Sequence, residues 1–232
     1  VTDALSLDQE IDIIADCLRE ELLSEAAPVD EARTYLSSLA PDGHWPDVDY
    51  ADASRTHWSP AQHTARMALL ARAYHRPGTP LSGSEGVARA VTSTLAFWVE
   101  HDPQSDNWWF NCINTPRYLG QVLLLMGGAI SPSDRDRAVA IVRRSSFQRT
   151  GANLTWEAGN LLVLACAIRG DALALALADP TQVLDRVCLR LSGPYHGPGC
   201  AYDAQADITR VTLDLPSGAY AGQTVLPTLT TV

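Results

Sequence analysis

No lysine occurs in these 232 residues; all 17 basic side chains are arginine. A GC-rich coding sequence produces such a bias without any functional cause. Basic residues are also outnumbered: 27 Asp and Glu give a formal charge of −10, which argues against nucleic acid as a partner. Cysteine is sparse and odd in number (Cys17, Cys112, Cys166, Cys188 and Cys200), with no C-x-x-C pair. Neither a zinc site nor a disulfide framework is suggested, and reduced, buried thiols are the expectation. No ligand cluster implies a metal, and no cofactor is expected. Long apolar runs are absent too. The longest, "LLVLACAIRGDALALALA", is broken by Arg169 and Asp171, so no membrane span is expected. The amino terminus "VTDALSLDQEID" is acidic and lacks the basic opening of a signal peptide. The expected location is therefore secreted if a leader has been removed, and cytoplasmic otherwise.

What is present is a chain that is 46% apolar, enough for a sizeable core. Charge is distributed unevenly. Residues 1–56 carry Arg19, Arg33 and Arg55 against fourteen acidic residues, whereas 115–150 carry Arg117, Arg135, Arg137, Arg143, Arg144 and Arg149 against Asp134 and Asp136. A polyanion can find a local basic patch there, although a solvated helix face has the same composition. Helical periodicity dominates: Val87, Val91, Leu95 and Trp98 recur at helical spacing, as do Ile11, Ile14, Cys17, Leu18 and Leu22. "SPAQ" at 59, "SPSD" at 131 and "DPTQ" at 179 each set a capping side chain before proline, with Gln62 and Gln182 in capping-box position. Helices are predicted near 7–25, 28–39, 59–75, 84–101, 114–127, 132–145, 154–169 and 180–192. Short connections predict antiparallel helical hairpins. Beyond residue 193 the chain turns rich in Gly, Pro and Asp and reads as a long ordered loop. The expected organisation is one domain over 1–232, with N-terminal helices to 44, hairpins over 45–193, and a cleft loop and tail over 194–232.

The stretch "DNWWFNCINTPRYLG", residues 106–120, concentrates rigid aromatic surface at a helix entrance. Trp108 and Trp109 are either core, since aromatics bury large apolar areas, or a platform for a ligand. The segments "WPDVDY" at 45–50, "HWSPAQHTARMALLARAY" at 57–74, "NWWFNCINTPRYLGQVLLLMG" at 107–127 and "RTGANLTWEAGNLLVLACAIRGD" at 149–171 occur in that order. Together they resemble the α-helical catalytic domain of polysaccharide lyase family 8, the family of hyaluronate, chondroitin AC and xanthan lyases. The combination of NWW, I-x-x-P-R and TGAN carries the resemblance, which spans about 45–225.

The resemblance implies an all-α fold, an incomplete (α/α) toroid of antiparallel hairpins with a cleft across one end. It implies that Asn153 of TGAN is the catalytic asparagine and Tyr220 of "SGAYAG" the catalytic tyrosine. It implies that Trp108, Trp109 and Phe147 orient sugar rings, with Asn107, Arg117 and Arg149 beside them. The implied reaction is β-elimination next to a uronic acid. An asparagine amide that hydrogen-bonds the carboxylate stabilises the enolate-like charge by roughly 3–4 kcal/mol, and a tyrosine moves the proton.

The sequence departs from the family at three places. Val211 stands where the family has a histidine, nine residues before the tyrosine; His196 is the remaining histidine that could enter the cleft. Losing one acid/base group typically costs about 10²–10⁴ in rate. Cys112 stands where the family commonly has glutamate. The chain also stops twelve residues after Tyr220, so an incomplete toroid is expected to cover its apolar faces, for instance by forming a homodimer. Three functions remain open from the sequence. One is a lyase acting on an acidic polysaccharide. Another is a repurposed toroid acting on a small metabolite in an aromatic pocket. The third is a carbohydrate-binding remnant without chemistry.

Overall fold

The computed structural model describes residues 7–24, 29–146 and 149–168, and among these every regular element is helical. The order is α1 (Leu7–Ser24), α2 (Val29–Ser38), α3 (Ala61–His75), α4 (Glu85–His101), a π-turn (Phe110–Asn114), α5 (Thr115–Met126), α6 (Pro132–Val142) and α7 (Gly151–Ile168). The seven predicted helices that fall on described residues are all present, with no end moved by more than three residues. The helix predicted at 180–192, with its Asp179 cap, lies outside the described residues. No helix among the described residues is long and apolar enough to cross a membrane.

The helices pack in two layers. α5 lies between α3 and α7, and α4 and α6 form a second layer against α3 and α5. α1 lies against α7, α5 and α3, and α2 covers α3. The α4 stripe Val87, Val91, Leu95 and Trp98 is fully buried, as its spacing requires. The stripe expected on α1 is rotated. Ile11 and Ala15 are buried and Leu18 and Leu22 half-buried, while Ile14 and Cys17 face outward. Ala15, Leu18 and Leu22 pack with Leu124, Leu162, Val163 and Cys166 of α5 and α7. Spacing alone left two overlapping stripes available, and the partner surface selected one. α5 and α7 approach closely at Gly120, where a Cβ would lie 3.3 Å from Val163 Cγ1.

One predicted cap holds and one does not. Ser131 Oγ accepts from the Asp134 N–H at 3.1 Å. Ser59 instead takes the Asp49 N–H at 3.0 Å, and Gln62 gives its amide oxygen to Arg66, so no capping box forms at α3. A tertiary partner outcompeted the local one at each.

Below this helix end sits a polar relay inside an aromatic box. His63 is fully buried among Trp45, Tyr50, Phe97 and Trp98. A carbonyl can only accept, so His63 Nε2–H donates to Thr94 O at 2.9 Å. Nδ1 must then accept from the Tyr50 hydroxyl at 2.8 Å, and Tyr50 in turn accepts from the Trp45 N–H at 3.0 Å. Burial pushes the imidazole down to about 3 and the Tyr50 phenol up to about 12. Beside the box, Arg66 pairs with both carboxylate oxygens of Asp47 at 2.7 and 2.6 Å and lies over the Tyr35 and Trp45 rings.

Candidate functional site

The loop before the tryptophans is pinned from three directions. α4 ends with Asp102 in the left-handed region at φ 42°, and its carboxylate takes two hydrogen bonds from Arg144, one of them 3.0 Å. The Asn111 amide pairs with both backbone groups of Ser105, at 3.0 and 2.8 Å. Ser105 Oγ–H donates to Ser54 O at 2.8 Å and Asn107 Nδ2 donates to Arg55 O at 3.0 Å. The 52–59 loop receiving those bonds is itself anchored on Asp52. Its carboxylate accepts from the Ser59 and Ser54 N–H groups, which hold it below the usual carboxylate range. Asn107 Oδ1 also accepts the Trp109 N–H at 3.0 Å, starting the helix at Trp108. Both ends of the Asn107 amide are therefore engaged in holding the loop.

The helix that follows contains the π-turn, which the sequence reading missed. Its signal was Pro116. Proline has no N–H, and in an α-helix its ring collides with the carbonyl four residues earlier, here Cys112. The chain widens instead, and the Thr115 N–H donates to Phe110 O. Such turns are frequent at functional sites.

α7 begins at Gly151, so Asn153 lies within its first turn rather than ahead of it. Asn153 and Trp156 are three residues apart and share a helix face. Trp156 meets Trp109 edge-on, with ring centroids 5.8 Å apart. Just before α7, the Arg149 guanidinium lies over the Trp108 ring at 4.0 Å and 3.7 Å from the buried carboxylate of Glu157. Trp108 is 38% exposed, among the most exposed large apolar side chains described. The structure thus brings Arg149 onto Trp108 and Trp156 onto Trp109, with Asn153 three residues before Trp156 in the first turn of α7. The sequence reading passed over Trp156 and Glu157, although they stand three and four residues after Asn153.

Arg117 is exposed on the first turn of α5, 6.0 Å over the Tyr118 ring. Cys112 is half-buried in the π-turn. Phe147, His196, Val211 and Tyr220 lie outside the described residues. The basic stretch 115–150 does not act as a single patch: Arg144 is tied to Asp102, Arg135 caps Ala167 O at 3.0 Å, and Arg149 faces Trp108. A groove of about 580 Å³ runs along α6, lined by Ile130, Arg135, Val139, Arg143 and Ile168, none of them on the aromatic face.

The arrangement offers an exposed indole, a cation and a helix start. A sugar ring can lie on the indole, an anion can meet the guanidinium, and the first N–H groups of α7 favour negative charge.

Known proteins resemble this chain in sequence and in fold. The N-terminal α-helical domain of polysaccharide lyase family 8 matches residues 15–178. A chondroitinase-AC of Pedobacter heparinus is 34% identical over 128 residues, covering 53% of this chain and 18% of the relative. A hyaluronate lyase of Thermasporomyces composti is 28% identical over 137 residues, covering 54% of this chain and 17% of the relative. A chondroitinase AC lyase solved with oligosaccharides superposes with a TM-score of 0.64 at 26% identity, covering 74% of this chain and 26% of that one. The matched segments thus span under a fifth of the length of the curated relatives.

Proposed function

The chain belongs to polysaccharide lyase family 8, and from that premise we propose that it acts in β-elimination on an acidic, uronic-acid-containing polysaccharide. The observation that carries the reading is Arg149 held 4.0 Å over the exposed Trp108, beside the helix start that bears Asn153. An exposed indole with a guanidinium stacked over one face leaves the other for a sugar ring and sets a cation beside it for a carboxylate or sulfate. The curated relatives are named for chondroitin and hyaluronate.

In this reading the hairpins form part of an (α/α) toroid, and the tryptophan face lines its cleft. The uronic-acid ring lies on Trp108 with its carboxylate toward Arg149 and Asn153. The Asn153 amide donates to that carboxylate. A base removes the proton from C5, and its electron pair passes into the carboxylate as an enolate-like charge. That charge collapses to a C4–C5 double bond as the C4–O glycosidic bond breaks. The leaving oxygen takes a proton, and Tyr220 is the group assigned to moving protons on the reactive side. Donors fixed before the charge develops need no reorganisation at the moment of reaction.

The test is direct. The full chain, incubated with chondroitin or hyaluronan, is expected to generate the ultraviolet absorbance of an unsaturated uronide. Asn153→Ala is expected to lower that rate at least ~100-fold with helical circular dichroism unchanged. Absorbance absent with every uronic-acid polymer, at high protein load, refutes the reading. Binding that persists without absorbance would leave a carbohydrate-binding role instead.

A further inference from the structure

We propose that Ser145 and Asn160 are positioning residues that hold the π-turn open and so fix the direction in which Trp108 and Trp109 point. The proposal deepens, and rests on, the reading of that face as a glycan platform.

The reasoning starts from Pro116. In a regular helix its N–H would serve the Cys112 carbonyl, and proline has none. The Cys112 carbonyl is instead taken by the Ser145 hydroxyl, which donates at 2.7 Å. The neighbouring Ile113 carbonyl accepts from Asn160 Nδ2 at 3.0 Å, and the same amide nitrogen donates to Ser145 Oγ at 3.0 Å. Ser145 is 2% exposed and Asn160 5%, so the bridge is shut off from bulk solvent. Three segments are joined by this bridge: the π-turn, the link between α6 and α7, and the third turn of α7. Every bond in it involves a side chain, so residue identity decides whether it forms.

Removing the bridge leaves buried carbonyls bare, a state that buried backbone groups avoid. The relief available to the chain is to slip the widened turn by one residue and kink at Pro116. One residue corresponds to about 100° around a helix axis. A slip of that size carries Trp109 off Trp156 and Trp108 from under Arg149. Ser145 and Asn160 touch neither tryptophan; they act through the turn.

The test uses the full chain with Ser145→Ala, Ser145→Thr, Asn160→Leu and Asn160→Asp. The edge-on pair of Trp109 and Trp156 produces an exciton couplet in circular dichroism. Its contribution is isolated as the difference between the unsubstituted chain and Trp156→Phe. Affinity for a hyaluronan or chondroitin oligosaccharide is measured on the same samples. Ser145→Ala, Asn160→Leu and Asn160→Asp are expected to lose the couplet and to bind about fivefold more weakly, the loss of one aromatic stack, while far-ultraviolet helicity persists. Asn160→Asp keeps the side chain's shape and replaces the amide donor with a carboxylate that, when ionised, can only accept. Ser145→Thr keeps the hydroxyl and is expected to retain both signals. A merely structural role would lower melting temperature without moving the couplet. If an Asn160 variant fails to fold, Ser145→Ala decides. Variants that keep both couplet and affinity overturn the proposal. Loss of the couplet in a chain that binds no uronic-acid oligosaccharide upholds the positioning role and refutes the function it was read into.

Discussion

Lowering the pH from 7.5 to 5 is expected to destabilise this fold chiefly through His63. The ring is fully buried, donates to a carbonyl and accepts from Tyr50, so its proton acceptor is already used. Burial pushes it down to about 3 from its ordinary 6.5. The unfolded chain therefore binds a proton that the folded chain refuses. Stability from this group is complete above pH 6.5 and falls as pH drops, until about pH 3, where the folded state also protonates. At about 1.4 kcal/mol per unit, the 1.5 units between 6.5 and pH 5 amount to about 2 kcal/mol, an upper value if the box relaxes around a charged ring. Burial also lowers His75, which adds to the slope in the same direction. A paired measurement removes that background: urea unfolding of the unsubstituted chain and His63→Gln, each at pH 7.5 and 5. Glutamine can reproduce one donor and one acceptor but does not titrate. The unsubstituted chain should lose about 2 kcal/mol more than the variant between the two pH values. Equal losses would refute the argument. So would an imidazole NMR signal for His63 that titrates near 6.5, a measurement that stands even if the variant folds poorly.

Further outcomes are expected. Gly43→Ala should destabilise by about 3 kcal/mol in urea unfolding, because φ is +92° there and a Cβ would lie 2.3 Å from Ser93 O, a backbone atom that cannot swing aside. Arg144→Ala should cost about 1 kcal/mol, reduced by salt, since the Asp102 pair is about one-third exposed; loss of salt dependence on melting is the check. Trp108→Ala should weaken oligosaccharide binding about fivefold in calorimetric titration while leaving the melting temperature nearly unchanged, because its ring is 38% exposed. A large drop in melting temperature would instead make Trp108 part of the core.

The sequence by itself determined the helical class, the α4 stripe, the Ser131 cap and the family, because each rests on local spacing or on short motifs in order. Periodicity is a property of the strand of residues, and a helix carries it wherever it packs. The sequence could also flag the tryptophans, Asn153 and Arg149, but could not say that Arg149 stacks on Trp108 or that Trp109 meets Trp156. Only the tertiary structure decided which of two α1 stripes turns inward, since that depends on the facing surfaces of α5 and α7. It alone gave Ser59 to Asp49 and Gln62 to Arg66 instead of to their own helix. It also set Arg149 over Trp108 and brought Ser145 and Asn160, 15 residues apart, to the same π-turn. Polar side chains have several partners of similar energy within reach, and the differences between them are about 1 kcal/mol. Packing brings one partner to hydrogen-bond distance and moves the others away, and that selection is not written in any local stretch.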